Sequence, residues 1–509
     1  MKLHEWQAEC LSQWAQNGYR GIVNAVTGSG KTVLALTAIQ KLEQALTADL
    51  RVKIVVPQTF LAVQWKEEIR RHLNLRPSDI GLYGGKRKET DKKVTVYVIN
   101  SARYSLARHI LSDFGKGYAV LLIADECHHY GSAENSRIFD FLPVMGETAA
   151  YYALGLSATP ETVNFKAITA PLGPEIYYYG LREALRDQII SRFILFSVRL
   201  AFTPREQAEY TEMSIDLFKS LAALRRLRPD LKGLSSGLFF ARLNRLAQQE
   251  SDAGLAARAA LTLTYKRRTL CHMAQQRPLC ALSIVKSLPP GLKIILFCER
   301  IQAAELLCRS LTKEYPGQAG LYHSQMAGHT RQNVLESYRQ GSLRLLVCCR
   351  ALDEGLNIPS TDAGIIVSTT LSARQRVQRL GRILRRSKEI KRIYYLCIGE
   401  SSEDSELLIG LNAPGDQLPV LALEYQKGVF HHPEYQRLRE TVLQHVAARK
   451  NNPALLAALD GYLSRALIRG DFLLPEPVCR EHLKAARSGA QRNYWTAVLY
   501  AALAARGRL

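Results

Sequence analysis

Ala25-Val26-Thr27-Gly28-Ser29-Gly30-Lys31-Thr32 sets small, turning residues directly before a lysine and a hydroxyl. Glycines at 28 and 30 let the backbone curl so that successive N–H groups face a phosphate, and the positive end of a following helix adds to the attraction. Lys31 has the reach to meet β- and γ-phosphates, and the Thr32 hydroxyl suits Mg²⁺; Thr27, Gly28, Ser29 and Gly30 would supply the cradle. Further along, Asp125-Glu126-Cys127-His128-His129 places two carboxylates after an apolar run. Asp125 at the end of a strand can hold Mg²⁺, and Glu126 can orient and deprotonate an attacking water. Each segment alone has a plainer reading, a glycine turn or a solvated loop start. Together they predict a site for ATP and Mg²⁺. His128-His129 also suggests a metal centre, but no further ligand stands at a matching spacing.

The loop needs a strand before it and a helix behind it. Gly21 to Val26 reads as that strand and Val33 to Gln40 as the start of the helix. Lys53–Val56, Val94–Ile99, Ala119–Ala124 and Tyr151–Leu156 read as further buried strands between helical stretches, so a parallel sheet covered on both faces is expected. The alternation stops near residue 200. Thr203-Pro204-Arg205-Glu206 has the form of a capping box with proline at the first helical position, and Tyr210, Met213, Leu217, Leu221 and Leu224 repeat at helical spacing. Residues 201–290 read as helical, with 14 basic against 7 acidic side chains. Strands resume at Lys293–Phe297, Leu343–Val347, Gly364–Val367 and Arg392–Leu396. Beyond residue 400 the pattern is helical again.

The chain has 509 residues, 47% hydrophobic and 22% charged, enough for about three domains and far from a disordered composition. Lys and Arg number 68 against 46 acids, a formal charge of +22, and residues 401–509 hold 13 basic and 11 acidic side chains, so the surplus lies before residue 400. Such a surplus fits a polyanion partner, or simply a basic, well-solvated surface. Ten scattered cysteines form no C-x-x-C pair, which argues against zinc and fits reduced thiols. No apolar run reaches the length of a membrane helix, so a soluble, cytoplasmic protein without membrane contact is expected.

At this point the sequence resembles the superfamily 2 helicases and translocases, in the branch around the xeroderma pigmentosum group B helicase and the type I/III restriction motor subunits. The resemblance runs over residues 3–400. Leu3-His4-Glu5-Trp6-Gln7 is similar to the adenine-sensing segment, with Gln7 as base reader and His4 where Arg is usual. Val56-Pro57-Gln58-Thr59 with Gln64-Trp65 resembles the segment touching a nucleic-acid backbone through Gln58 and Thr59. Asp125-Glu126-Cys127-His128 resembles a DEAH-type box, and Ser157-Ala158-Thr159 the motif that couples hydrolysis to movement, which implies coupling roles for His128, Ser157 and Thr159. Asp353-Glu354-Gly355-Leu356-Asn357 is similar to motif V, with Gly355 and Asn357 at the nucleotide and Asn357 where Asp is more usual. Gln378-Arg379-Leu380-Gly381-Arg382-Ile383-Leu384-Arg385 matches motif VI. Arg382 and Arg385 share a helix face at that spacing, and the resemblance implies arginine fingers for the γ-phosphate, with Gln378 beside them.

The resemblance implies an α/β fold of two tandem RecA-like parallel-sheet domains with a helical insertion and a helical C-terminal region. Boundaries are expected at 1–200, 201–290, 291–400 and 401–509. It implies nucleic-acid-stimulated ATP hydrolysis that drives a strand, DNA rather than RNA, as the two domains close and part. A second class stays open: a nucleotide-gated binding subunit of a restriction, defence or repair complex that unwinds little alone. An RNA helicase is a third reading. Arg225, Arg226, Arg228, Arg242, Arg245, Lys266, Arg267 and Arg268 could clamp phosphates or form a solvated face. Residues 401–509 could pack on the second domain or dock a protein partner. No iron–sulphur cluster is expected, because no cysteine lies between the phosphate loop and Cys127. Little chain precedes Lys31, so an N-terminal nuclease is not expected either, and no nuclease pattern stands in the tail.

Overall fold

The computed structural model describes residues 3–146, 149–160, 164–349, 361–368, 383, 390–402, 420–450 and 452–509. They fall into two compact units, each built on its own eight-stranded sheet. The first contains β1 (Arg20–Ala25), β2 (Leu50–Val56), β3 (Ile80–Gly84), β4 (Arg87–Lys88), β5 (Val94–Val98), β6 (Ala119–Asp125), β7 (Tyr151–Ser157) and β8 (Glu175–Tyr179), in the order β4-β3-β5-β2-β6-β7-β1-β8. All neighbours are parallel except the hairpin β3–β4. The strands read from their apolar runs are all present, and residues of β6 such as Val120, Leu121 and Leu122 are fully buried, as a sheet covered on both faces requires. Among the covering helices are α1 (Glu5–Gln16), α2 (Lys31–Ala45) and α3 (Thr59–His72). In α3, Leu61, Ala62, Trp65 and Ile69 form the buried stripe.

The second unit holds β9 (Phe193–Leu200), β10 (Ile294–Cys298), β11 (Ala319–His323), β12 (Leu345–Cys349), β13 (Ala363–Ile366), β14 (Lys391–Ile398), β15 (Val420–Gln426) and β16 (Val429–His431), in the order β11-β12-β10-β13-β14-β9-β15-β16. Only β15–β16 is antiparallel. The boundary expected at residue 200 therefore falls at 192/193. Residues 193–200 are an apolar run with no local mark of which sheet they serve, and eight parallel pairs with β14, from Phe193–Lys391 to Leu200–Ile398, decide it.

The insertion forms as expected. Thr203 caps the helix Pro204–Leu227, its hydroxyl accepting from the Glu206 N–H while Glu206 Oε2 accepts from Thr203 N–H at 2.9 Å. Helices Ser236–Leu246 and Asp252–Met273 follow, with a small core of Leu224, Leu231, Leu243, Leu246 and Ala257. The region beyond 400 departs from an all-helical reading. β15 and β16 extend the second sheet, and helices Pro433–Arg449, Pro453–Arg469 and Gly489–Ala504 add Val442, Leu463, Leu467, Ala497 and Ala501 to the core beneath it. Tyr394 donates to Ile468 O at 2.8 Å, and Arg392 pairs with the buried Asp471 at 2.6 Å. These described tail residues are thus packed into the second unit. No helix among the described residues is long and apolar enough to cross a membrane.

Candidate nucleotide site

β6, β7 and β1 are neighbours in one parallel sheet, so the segments leaving their carboxyl ends emerge along a single edge. That edge is where an open α/β sheet binds ligands. From β1 comes the loop 26–30, from β6 the pair Asp125-Glu126, from β7 the Ser157-Ala158-Thr159 turn. Sequence positions more than 120 residues apart meet for this topological reason.

The loop has the conformation its glycines predict. Gly28 and Gly30 lie at φ +86° and +98°, where a side chain would be strained, and a Cβ on Gly30 would stand 2.8 Å from Gln7 Nε2. α2 begins at Lys31, so its free N–H groups point out of the turn. The Lys31 ammonium donates to Ala25 O at 2.8 Å, folded over the turn, with the half-buried Thr32 beside it. The Ser29 hydroxyl is buried with no hydrogen-bond partner among the described residues, and Thr27 is half-buried. Curled backbone, an orphaned hydroxyl and a lysine at a helix start fit a phosphate chain.

Gln7 is placed differently from a simple base reader. Its carboxamide is buried, accepting from His4 N–H at 2.9 Å and donating to Gly30 O at 3.0 Å, so it braces the loop against the start of α1. Trp6 beside it stacks on Tyr179 with ring centroids 4.5 Å apart.

Asp125 and Glu126 do not share one environment. Asp125 Oδ1 accepts from Glu126 N–H at 3.1 Å and Oδ2 from the Trp65 indole at 2.8 Å. Burial pushes the Asp125 carboxyl above its ordinary range, opposed by the Trp65 hydrogen bond and the nearby Lys31 charge. Oxygen ligands of this kind, with the Thr32 hydroxyl, suit Mg²⁺. Glu126 sits at φ +47°, ψ +51°, left-handed and uncommon for a residue with a Cβ. Its carboxylate lies 3.5 Å from His128 Nδ1, which also meets Ser157 Oγ at 2.9 Å; Ser157 Oγ in turn accepts from Thr159 N–H at 3.1 Å. The three residues expected to couple hydrolysis to movement are thus in one run of contacts from Glu126.

Gln58 and Thr59 stand at the N-cap and first residue of α3. Gly355, Asn357, Gln378, Arg382 and Arg385 lie outside the described residues. On the insertion, Arg228 and Arg242 pair with Asp230 at 2.8 and 2.6 Å, and Arg267 donates to Tyr210 and Ser402, whereas Arg225, Arg226, Arg245 and Lys266 are exposed. Sequence reasoning missed two residues at the site. In the sequence Trp65 stands out only as part of the nucleic-acid segment, and Tyr130, whose hydroxyl lies 2.7 Å from Asp125 O and 2.9 Å from Val55 O, carries no signal. A buried aromatic with one polar atom reads as core until its partner is seen.

Fold and site together define a P-loop ATPase of tandem RecA-like units. The Pyrococcus furiosus Hef helicase domain shares the fold, with TM-score 0.50 and 18% identity over 79% of this chain and 97% of that one. S. cerevisiae Dbp5 bound to RNA does so at TM-score 0.52 and 12% identity, over 83% and 90%. Residues 1–162 match the family described as Type III restriction enzyme, res subunit, and residues 276–387 the Helicase conserved C-terminal domain. The DNA 3'-5' translocase XPB2 of Sulfurisphaera tokodaii is 30% identical over 388 residues, 76% of this chain and 79% of that protein. A putative DNA 3'-5' helicase Rad25 of Haloarcula marismortui is 23% identical over 416 residues, but the match spans only 54% of its length. The chain belongs to the superfamily 2 helicases, in the branch of the xeroderma pigmentosum group B helicase. Its activity is ATP-hydrolysing helicase or translocase.

Proposed function

We propose that this protein is a DNA translocase in which Lys31 and the loop backbone hold the phosphates of ATP, Thr32 and Asp125 hold Mg²⁺, and Glu126 takes the proton of the attacking water. Bound Mg²⁺ would neutralise phosphate charge and help align the chain for in-line attack. The protein's own part is positioning. The Asp125 carboxylate is met by Trp65 and Glu126 N–H and that of Glu126 lies 3.5 Å from His128 Nδ1, so the first is assigned to the metal and the second to the water. Gln7 is assigned the bracing of the phosphate loop and, with nucleotide present, adenine recognition. Gly355 and Asn357 are assigned to the nucleotide, and Gln378, Arg382 and Arg385 to charge on the γ-phosphate, from the motif resemblance alone. Gln58 and Thr59 are assigned to the nucleic-acid backbone, and the exposed Arg225, Arg226, Arg245 and Lys266 to phosphates further along it.

The observation that carries this reading is the run of contacts Glu126–His128–Ser157–Thr159. A hydrolytic carboxylate joined to the turn after β7 gives the outcome of hydrolysis a route out of the site. DNA is favoured over RNA by the XPB-like relatives. The test is displacement of a third strand from a DNA triplex. Release that needs ATP, is absent with a non-hydrolysable analogue and is lost in Glu126→Gln supports translocation. ATP hydrolysis without release, at any length of flanking duplex, would replace it with the nucleotide-gated subunit reading.

A further inference from the structure

Trp65 is 3% exposed and lies on the buried stripe of α3 beside Leu61, Ala62 and Ile69, which pack there with no polar side-chain atom. What a leucine lacks is the indole N–H, which points at Asp125 Oδ2 from 2.8 Å. An indole is a donor only, so it can meet a carboxylate oxygen that carries no proton. The other oxygen has its own donor in Glu126 N–H at 3.1 Å. One donor on each oxygen fixes the carboxylate plane and leaves further lone pairs open.

A second contact repeats the connection one layer down. The Tyr130 hydroxyl, fully buried, lies between Val55 O at 2.9 Å and Asp125 O at 2.7 Å, bridging the ends of the neighbouring strands β2 and β6. β2 runs on through Pro57 to Gln58 and Thr59, which open α3. The segment assigned to nucleic acid is therefore joined to Asp125 twice, through the Tyr130 hydroxyl at its strand and through the Trp65 indole at its helix.

We propose that Trp65 is a positioning residue: its N–H orients the Asp125 carboxylate for Mg²⁺ and ties that carboxylate to α3, so that nucleic acid on the first turn of α3 tightens the grip on the metal. The proposal rests on Asp125 as the Mg²⁺ ligand and on Gln58 and Thr59 as contacts to nucleic acid. Partners that orient metal ligands typically matter by about 10–100-fold in metal affinity. Coupling of this kind is reciprocal, so DNA that improves Mg²⁺ binding must itself bind better when Mg²⁺ is present.

The test needs no turnover. A fluorescent ADP analogue is titrated with Mg²⁺ on wild type, Trp65→Phe and Asp125→Asn, with and without double-stranded DNA. For Trp65→Phe the expected result is unchanged affinity in EDTA, which reports an intact phosphate loop. Its Mg²⁺ midpoint should be raised about 10–100-fold, and the shift that DNA gives wild type should be lost. A midpoint within about twofold of wild type, with that shift retained, overturns the proposal. Asp125→Asn separates the two failures, since an unchanged Mg²⁺ dependence there would refute the assignment of Asp125 itself. Should Trp65→Phe fail to fold, the wild-type indole N–H resonances answer instead. One of the four tryptophan signals should move when Mg²⁺ joins bound ADP, and the same signal should be displaced by Asp125→Asn. No responsive indole signal would overturn the proposal.

Discussion

Glu126 carries the conformation least expected of its residue type. A non-glycine residue in the left-handed region costs about 1–3 kcal/mol, and the surroundings must hold it there. His128 stands 3.5 Å from its carboxylate, and the neighbouring Asp125 carbonyl is held by Tyr130. Those contacts lead on to Ser157, whose hydroxyl serves both the His128 ring and the Thr159 N–H. Ser157→Ala removes both at once. Each net hydrogen bond corresponds to about 1 kcal/mol, or roughly fivefold in a rate. Because neither bond touches the Lys31 loop, ATP hydrolysis is expected to fall modestly while third-strand displacement per ATP falls several times further. Parallel rate measurements on one preparation check this, and equal losses in both would remove Ser157 from the coupling role. At this scale the types of the site residues were readable and their orientations were not. Gln7 was readable as a glutamine near a nucleotide; that both ends of its carboxamide would be occupied by His4 N–H and Gly30 O was not.

Within the first sheet, β2 carries a lysine where an apolar residue is expected. Lys53 is 1% exposed and its ammonium lies 2.6 Å from Asp113 on the helix Leu106–Gly115. Burial lowers the Lys53 pKa and Asp113 opposes that shift. Removing one partner leaves a buried charge alone, so Lys53→Met is expected to destabilise by about 3–5 kcal/mol, while Lys53→Met with Asp113→Leu recovers most of the loss. Denaturant unfolding followed by circular dichroism measures both, and an additive double variant would contradict the pairing. Elements with strong local periodicity, such as β6 or the capped helix at Pro204, could be read from the sequence because burial on both faces or a capping box leaves a local mark. β9 and β15 could not be assigned, since membership of the second sheet is decided by partners 190 or more residues away. Long-range pairing has no short-range signature. For the C-terminal helices the sequence leaves packing on the second domain and docking of a partner both open, and Leu463 and Ala497 stand in the core of the second unit.

For the whole molecule, the charge and the two sheets tell one story. A formal +22 on a chain whose tail is nearly balanced, together with exposed Arg225, Arg226, Arg245 and Lys266 on the insertion, suits a partner that is a polyanion. Family membership makes that partner a nucleic acid, and the proposed site chemistry would make its passage dependent on ATP. The most direct measurement is ATP hydrolysis at low salt, alone and with double-stranded DNA, single-stranded DNA or RNA, with Lys31→Ala and Glu126→Gln beside the wild type. Stimulation by DNA that weakens as salt rises is expected. Both variants should lose at least about 100-fold, from removing a phosphate-holding cation in one and a general base in the other. A flat rate with every polymer while ATP still binds would contradict the proposed function.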